Sequence, residues 1–178
     1  MRLGVMCSGK GSNFENIVRT CKDHEVVLMI HNKEKCGAAK RADKLGIPHC
    51  CIKMANEDQI IQLFKAWRVD LIVLAGWMRV LSKDFIDAFP DQIINIHPSL
   101  LPKYKGLHAI EQTFESNDTL AGCTVHMVTE ELDSGKILMQ EEVPIHPYDT
   151  LKTLTTAVHQ AEHRILPEVL RNLNIDGE

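Results

Sequence analysis

Two polar side chains stand close together in a stretch of the sequence that is otherwise apolar. Asn95 and His97 belong to residues 93–97, Ile-Ile-Asn-Ile-His, a run that predicts a buried β-strand leading into a proline-containing loop. Successive side chains of a strand point to opposite faces, so both polar groups project from one face. Burial there is costly unless each group has a partner or a task. A histidine can transfer a proton near neutral pH, and an asparagine amide can donate to a developing oxyanion.

A carboxylate that could complete this pair lies in a later acidic loop. Asp133 would stabilise the protonated form of His97 if the two met; alternatively, it shapes a turn with Gly135 and the histidine is structural. Ser99 and Ser134 lack the elbow motif of an activated nucleophile. A histidine, an oxyanion donor and an acid without a nucleophile favour direct attack of one substrate on the acyl group of another. The expected intermediate is tetrahedral and is not bound to the enzyme.

A second candidate site follows the first predicted strand, residues 3–7. Gly11, Ser12 and Asn13 lie between this strand and a predicted helix. Glycine lets the backbone approach a ligand, and the free N–H groups and the dipole of a helix N-terminus favour phosphate. A tight turn with a serine cap is the alternative. Phe14 occupies the position where a dinucleotide fingerprint needs its third glycine, which argues against a nicotinamide-dependent oxidoreductase.

An arginine follows the predicted strand at residues 70–76. Arg79 stands among large apolar residues, at the carboxyl edge where α/β sheets bind ligands. It could line a pocket for a flat ligand with polar edges, or extend along a core cluster with its charge in water. Ser82 would cap a short helix that runs through Phe89.

Strands and helices alternate along the chain. This pattern predicts an α/β fold, a doubly wound and mainly parallel sheet flanked by helices, with right-handed crossovers. Predicted strands at 123–128 and 137–145 form an antiparallel extension of that sheet. Thr150 starts a long C-terminal helix, whose apolar stripe should pack on the sheet. The stripe consists of Leu151, Leu154, Val158, Ala161, Ile165 and Val169.

The composition is that of an ordinary soluble domain. The 178 residues suffice for one domain over 1–178, and a net charge of −4 offers no basic surface for nucleic acid. No apolar run approaches the roughly 20 residues that span a bilayer, and the N-terminus lacks a signal pattern, so we expect a cytoplasmic protein. The 6 cysteines form no C-x-x-C pair. We interpret them, Cys7 included, as small buried hydrophobes and expect no metal site.

Residues 95–108, NIHPSLLPKYKGLH, resemble the signature of the folate-dependent formyltransferases. Within that superfamily they resemble the branch that formylates phosphoribosylglycinamide (GAR) in purine synthesis. The similarity extends to residues 7–13, 75–82, 124–126 and 131–135 and to the final helix, so it covers nearly the whole chain. It implies the Rossmann-like formyltransferase fold and transfer of a formyl group from 10-formyltetrahydrofolate to the amino group of GAR.

The resemblance also implies roles for individual residues. Protonated His97, held by Asp133, would stabilise the oxyanion and move a proton, while Asn95 donates to the same oxygen. The segment matching the GAR phosphate site is Gly11, Ser12 and Asn13. The residues matching the folate site are Met78, Arg79, Val80, Leu81, Asn95, Thr129, Glu130, Glu131, Leu132 and Asp133. Lys105 and His108 would be neighbours of the substrates.

Two departures and two alternatives accompany this interpretation. Lys136 stands where relatives usually have proline, which we expect to loosen the acidic loop or the strand beyond it. The chain stops at 174–178, where relatives commonly continue with a segment of the GAR pocket, so either the chain is short for its family or GAR is held with fewer contacts. Another acceptor, methionyl-tRNA or an amino sugar, is one alternative, although such enzymes usually carry a further domain. A non-catalytic folate- or nucleotide-binding domain is the other. The sequence leaves the oligomeric state open, with a homodimer as one option.

Overall fold

The computed structural model describes residues 1–53 and 56–175, with side chains described through residue 173. Within these residues the elements follow in the order β1 (Arg2–Cys7), α1 (Ser12–Thr20), β2 (Glu25–His31), α2 (Gly37–Leu45), β3 (His49–Cys51), α3 (Glu57–Ala66), β4 (Leu71–Leu74), α4 (Lys83–Ala88), β5 (Ile93–His97), α5 (Ala109–Glu115), β6 (Leu120–Met127), β7 (Ile137–Pro144) and α6 (Leu151–Ile175). The chain end at 176–178, and with it the expectation of a shortened GAR pocket, lies outside the described residues.

The strands form a seven-stranded sheet in the order β3-β2-β1-β4-β5-β6-β7. Strands β1 to β5 pair in parallel, whereas β5 pairs with β6 and β6 with β7 in antiparallel fashion. The predicted doubly wound sheet with an antiparallel extension is therefore confirmed. The strand order reverses between β1 and β4, and ligands of open α/β sheets bind at the carboxyl ends of strands beside such a reversal.

Helices cover both faces of the sheet, which explains the near-continuous apolar character of its central strands. Every residue of β4 is buried. On one face, Phe14, Ile17 and Leu154 bring α1 and α6 into the core. On the other face, Phe64 and Phe85 bring in α3 and α4. Burial of such side chains stabilises the fold by about 1.5–3 kcal/mol each.

The helix ends agree with the predicted caps. The hydroxyl of Ser82 accepts from the N–H of Phe85 at 3.2 Å, and that of Thr150 accepts from the N–H of Thr153 at 3.2 Å. Leu154, Val158, Ala161, Ile165 and Val169 are buried, as their spacing predicts. The inclusion of Leu151 in this stripe was wrong. It is 38% exposed because it lies at the helix N-terminus, before the first buried position.

Four cysteines are buried, namely Cys7, Cys21, Cys36 and Cys123. Complete burial raises the pKa of the Cys7 thiol, with nearby Cys36 adding to the effect, so Cys7 packs in the core. Cys50 and Cys51 are only half-buried, contrary to expectation, because β3 is an edge strand. None of the helices in the described ranges is both long and apolar enough to cross a membrane.

Candidate active site

Strand β5 presents Asn95 and His97 on one face, as the alternation predicts. The strand lies between β4 and β6, with Asn95 opposite His126 and His97 opposite Thr124 in the antiparallel ladder. His97 is 5% exposed and Asn95 is half-buried. The pair therefore sits where the parallel and antiparallel parts of the sheet meet.

The loop after β5 fixes the orientation of the His97 ring. Nε2–H of His97 donates to the carbonyl of Tyr104 at 2.8 Å, since a carbonyl can only accept. Tyr104 holds this carbonyl in place with a left-handed backbone, φ 53°. The hydroxyl of Ser99 donates to the carbonyl of Lys103 at 2.6 Å and braces the same turn. With Nε2 occupied, Nδ1 is the nitrogen available for proton transfer.

Asp133 lies beside that nitrogen, with Oδ2 3.5 Å from His97 Nδ1. This distance exceeds the usual range of an N–H···O hydrogen bond, so the contact is a loose ion pair. The N–H of Gly106 donates to the same oxygen at 2.8 Å. Burial raises the pKa of Asp133, but donation by His126, the Gly106 N–H and the charge of His97 outweigh burial and leave that pKa below its ordinary value. Asp133 is thus held as a carboxylate.

A second histidine joins this group, and sequence reasoning did not assign it a role. His126 is 2% exposed and donates Nδ1–H to the carbonyl of Met127 at 2.8 Å. Its Nε2 faces both Asn95 Nδ2 at 3.2 Å and Asp133 Oδ1 at 3.5 Å. With a proton this nitrogen donates to Asp133, and without one it accepts from Asn95. The alternation of β6, which places His126 opposite Asn95, is the signal that could have found it.

A cavity of about 320 Å³ opens beside these groups. The residues matching the predicted folate site all line it, namely Met78, Arg79, Val80, Leu81, Asn95, Thr129, Glu130, Glu131, Leu132 and Asp133, together with His97 and His108. Arg79 is exposed at its wall. Across the described ranges, no cluster of three or more histidine, cysteine or acidic side chains is arranged to hold a metal ion.

The acidic loop that carries Asp133 is tied to its surroundings at several points. Lys105 Nζ donates to Ser134 Oγ at 2.5 Å, and Lys83 Nζ pairs with Glu130 at 2.6 Å. Gly135 packs so tightly that a Cβ there would lie 1.8 Å from the carbonyl oxygen of Met127. The carbonyl of Lys136 accepts from the N–H of Met127 at 2.9 Å, so pairing with β6 continues past the position where proline is usual.

The first loop, which carries the predicted phosphate site, lies outside this cavity. Gly11 precedes α1 as its N-cap residue, with φ 75°, and a Cβ on it would lie 2.6 Å from Ala38 Cα, so both conformation and packing require glycine. No side chain of the described residues caps this helix end, which makes the serine-cap alternative wrong. Residues 11–13 do not line the cavity. They lie along the same sheet edge, where Ser8 Oγ accepts from the N–H of Met78 at 2.9 Å.

Glu162 is the second residue that sequence reasoning missed. It is 5% exposed, and Asn13 Nδ2 donates to its Oε2 at 2.9 Å. Burial raises the pKa of Glu162 to about 7, although the bond from Asn13 opposes the shift. Asn13 Oδ1 and His163 Nε2 are buried without a partner in the described part of the protein. The signal that could have revealed Glu162 is its position in an apolar helix stripe, four residues after Val158, where a charged residue is unexpected.

Comparison with known proteins agrees with the geometry. The sequence description of the formyl transferase family matches residues 1–170. The chain therefore belongs to the formyl transferase family.

Individual relatives show which members of the family this chain is similar to. The chain is 37% identical to a phosphoribosylglycinamide formyltransferase of Bacillus subtilis, over 97% of this chain and 94% of that protein. The crystal structure of the Bacillus halodurans phosphoribosylglycinamide formyltransferase superimposes with a TM-score of 0.95 at 38% identity, covering 100% of this chain and 97% of that one. A trifunctional purine biosynthetic protein adenosine-3 of Drosophila pseudoobscura is 41% identical over 95% of this chain, which spans only 13% of that longer protein.

Proposed function

We propose that this protein transfers a formyl group from 10-formyltetrahydrofolate to the amino group of GAR, in purine biosynthesis. The observation that carries the proposal is the convergence of Asn95, His97 and Asp133 on one wall of the cavity. A proton-transfer group, an oxyanion donor and a carboxylate meet there, and no activated nucleophile lies beside them among the described residues. The similarity to phosphoribosylglycinamide formyltransferases supports the identity of both substrates.

The proposed reaction begins when the GAR amine attacks the formyl carbon, and the carbonyl oxygen becomes an oxyanion. Asn95 Nδ2 donates to this oxygen, and protonated His97 stabilises the same charge. The Asp133 carboxylate, with Oδ2 3.5 Å from Nδ1, would pair with the charge of that ring. The bond from the formyl carbon to N10 of the folate then breaks, and N10 takes up a proton as it leaves.

The geometry assigns the proton transfer to one atom of His97. Since Nε2–H is committed to the Tyr104 carbonyl, it is the protonated Nδ1 that gives its proton to the leaving nitrogen, and the nitrogen of the attacking amine then returns a proton to Nδ1. The loose contact with Asp133 leaves Nδ1 open to a substrate atom. Apo enzymes often show such long contacts, which shorten when the substrates bind.

The cavity has the size and walls that a folate ring requires. Binding sites for small ligands usually measure roughly 300–1,000 Å³ and combine apolar walls with a few polar groups. Here Met78, Val80 and Leu132 are large apolar side chains that remain at least 47% exposed around a cavity of about 320 Å³. We assign the pteridine ring to this space, with Arg79 at its polar edge.

We assign the binding site of the acceptor substrate, GAR, to the N-terminal end of α1. The N–H groups of its first turn, with Ser12 and Asn13, would hold the phosphate of GAR. Glu162 and the unpartnered Asn13 Oδ1 are acceptors suited to the hydroxyl donors of the same molecule. A small phosphorylated amine fits this arrangement better than a tRNA would, given the net charge of −4.

The test is to follow 10-formyltetrahydrofolate with and without GAR. Consumption that requires GAR, with formation of formyl-GAR, is the expected result. Equal consumption without GAR would indicate a hydrolase. Transfer to methionyl-tRNA or an amino sugar in place of GAR would show that GAR is not the acceptor. Binding of the folate without turnover would favour a non-catalytic binding domain.

Three further points stay predictions. The single domain over residues 1–178, the cytoplasmic location and a homodimer all fit an enzyme of purine synthesis. Sedimentation of the purified protein tests the homodimer, and limited proteolysis tests the single domain.

A further inference from the structure

Helix α6 contains a proline, and the carbonyl that this proline leaves without its helical partner receives a side chain from another helix. Pro167 has no N–H, so the helical bond to the carbonyl of His163, four residues earlier, cannot form. The side-chain amide of Asn16, in α1, donates to that carbonyl, with Nδ2 2.7 Å from the oxygen. The proline therefore creates an acceptor, and α1 supplies the donor that a half-buried carbonyl requires.

A second amide of α1 makes a parallel contact. Asn13 lies three residues before Asn16, on the same side of the helix, and donates to the carboxylate of Glu162 at 2.9 Å. Glu162 and His163 are neighbours in α6, so two amides of α1 are held by two successive residues of the long helix. Only the Asn13 contact involves a group that we assign to substrate binding. The Asn16 contact is purely between helices.

We infer that Asn16 is a positioning residue for the acceptor. Bound to the carbonyl that Pro167 frees, it sets where the first turn of α1 lies relative to Glu162. The inference rests on the proposed function, because that turn carries Gly11 to Asn13, the assigned phosphate site. Hydrogen bonds from backbone N–H groups to a phosphate weaken steeply beyond about 3.2 Å, so a small displacement of α1 weakens acceptor binding.

Two substitutions of Asn16 distinguish the loss of its hydrogen-bond donor from the loss of its side-chain volume. Asn16→Ala removes the amide, and Asn16→Asp keeps the shape but replaces the donor with a carboxylate that cannot donate. Both should raise the KM for GAR about tenfold, as for the loss of one hydrogen bond to a buried group. The kcat and the KM for 10-formyltetrahydrofolate should stay within about twofold, because ground-state and transition-state binding weaken together. Asn172→Ala, which removes an exposed amide from α6, is the matched control.

Substitution of the proline tests the same contact from the other side. Pro167→Ala restores an N–H that can donate to the His163 carbonyl, which favours helix formation. We nevertheless expect the KM for GAR to rise severalfold, since the carbonyl then turns towards the helix and Asn16 loses its acceptor. Adding Asn16→Ala to this variant should change the KM little further, so the two effects are non-additive.

Three outcomes would overturn the inference. The first is a KM for GAR that stays within twofold of the unaltered protein in both Asn16 variants. The second is a change of equal size in kcat, in the KM for GAR and in the KM for 10-formyltetrahydrofolate. The third is additivity of the effects of the Asn16 and Pro167 substitutions. Failure of the proposed function looks different, because the unaltered protein would then show no GAR-dependent transfer. In that case the same double-mutant cycle, measured on the free energy of unfolding, still decides whether Asn16 and Pro167 are coupled.

Discussion

Two polar regions lie along the same edge of the sheet, and they are built in opposite ways. Around Asp133, the polar groups contact one another, and its pKa is held below the ordinary value. Around Glu162, burial raises the carboxyl pKa to about 7, and Asn13 Oδ1 and His163 Nε2 lack partners among the described residues. The first region is prearranged for proton transfer and charge stabilisation. The second has unused hydrogen-bonding capacity, as expected of a site that its ligand completes.

The largest effect should follow from removing the proton-transfer group. His97→Ala should lower kcat by roughly 10²–10⁴-fold while leaving folate affinity nearly unchanged, because the ring acts on the reacting atoms and not on the pteridine. Single-turnover assays and equilibrium folate binding measure the two quantities. His146→Ala removes an exposed histidine that stacks on Tyr148 and is the control. A kcat within tenfold of the unaltered enzyme would remove His97 from the mechanism.

Burial raises the pKa of Glu162, whereas that of Asp133 is lowered, so replacing Glu162 with a neutral residue should stabilise the folded protein. Its carboxyl pKa is about 7 in the folded state against an ordinary 4.5. The folded state therefore binds the proton more tightly, and stability is lost as pH rises from about 4.5 to 7. The loss is about 3 kcal/mol and is complete above that range.

Glu162→Gln should be more stable than the unaltered protein by about this amount at pH 8 and equally stable at pH 4. The KM for GAR should nevertheless rise, because the charge is lost from the acceptor site. Urea unfolding at several pH values, together with GAR kinetics, checks both expectations. Identical pH dependence in the two proteins would show that Glu162 is ionised normally and that the contrast between the two regions is wrong.

Asp133→Asn should act in the reverse sense on stability. Its folded pKa lies below the ordinary 3.8, so the stabilisation that it contributes is present above that pH and is lost as pH falls through the lower folded pKa. Asparagine tolerates the left-handed backbone at this position, φ 48°, so the loop should survive. We expect kcat to fall roughly 10²-fold as His97 loses its partner. A variant with the acid stability profile of the unaltered protein would contradict the assignment.

The smallest predicted effect concerns the support of the acidic loop. Gly135→Ala would bring a Cβ to 1.8 Å from a backbone oxygen, so the loop must shift, at a cost of roughly 1–3 kcal/mol. The folate KM should rise more than the GAR KM, because this loop lines the cavity. Gly9→Ala, where a Cβ meets nothing within 4 Å, is the control for unfolding measured in urea. Equal changes in both KM values would mean that the two regions are not independent.

The sequence was sufficient for the fold because its signals are local. Alternation placed Asn95 and His97 on one face, and the continuous apolar run of β4 identified a central strand. Contacts between distant segments were harder. The bond from Asn13 to Glu162 joins residues 149 positions apart, and nothing local in either segment specifies it. The contact of the Tyr104 carbonyl with His97 could not be predicted from the sequence either, since it depends on a backbone conformation and not on a residue type.

The difference in sequence separation between the two regions has a consequence for folding. The contacts of the catalytic region join residues 7 to 36 positions apart, whereas those from α1 to α6 join residues 147 to 149 positions apart. Closing the longer loop costs more chain entropy and requires nearly the whole polypeptide. We expect the catalytic region to gain protection first and the acceptor region last, when α6 docks. Pulsed hydrogen exchange during refolding measures this order, and simultaneous protection of β5 and α1 would contradict it.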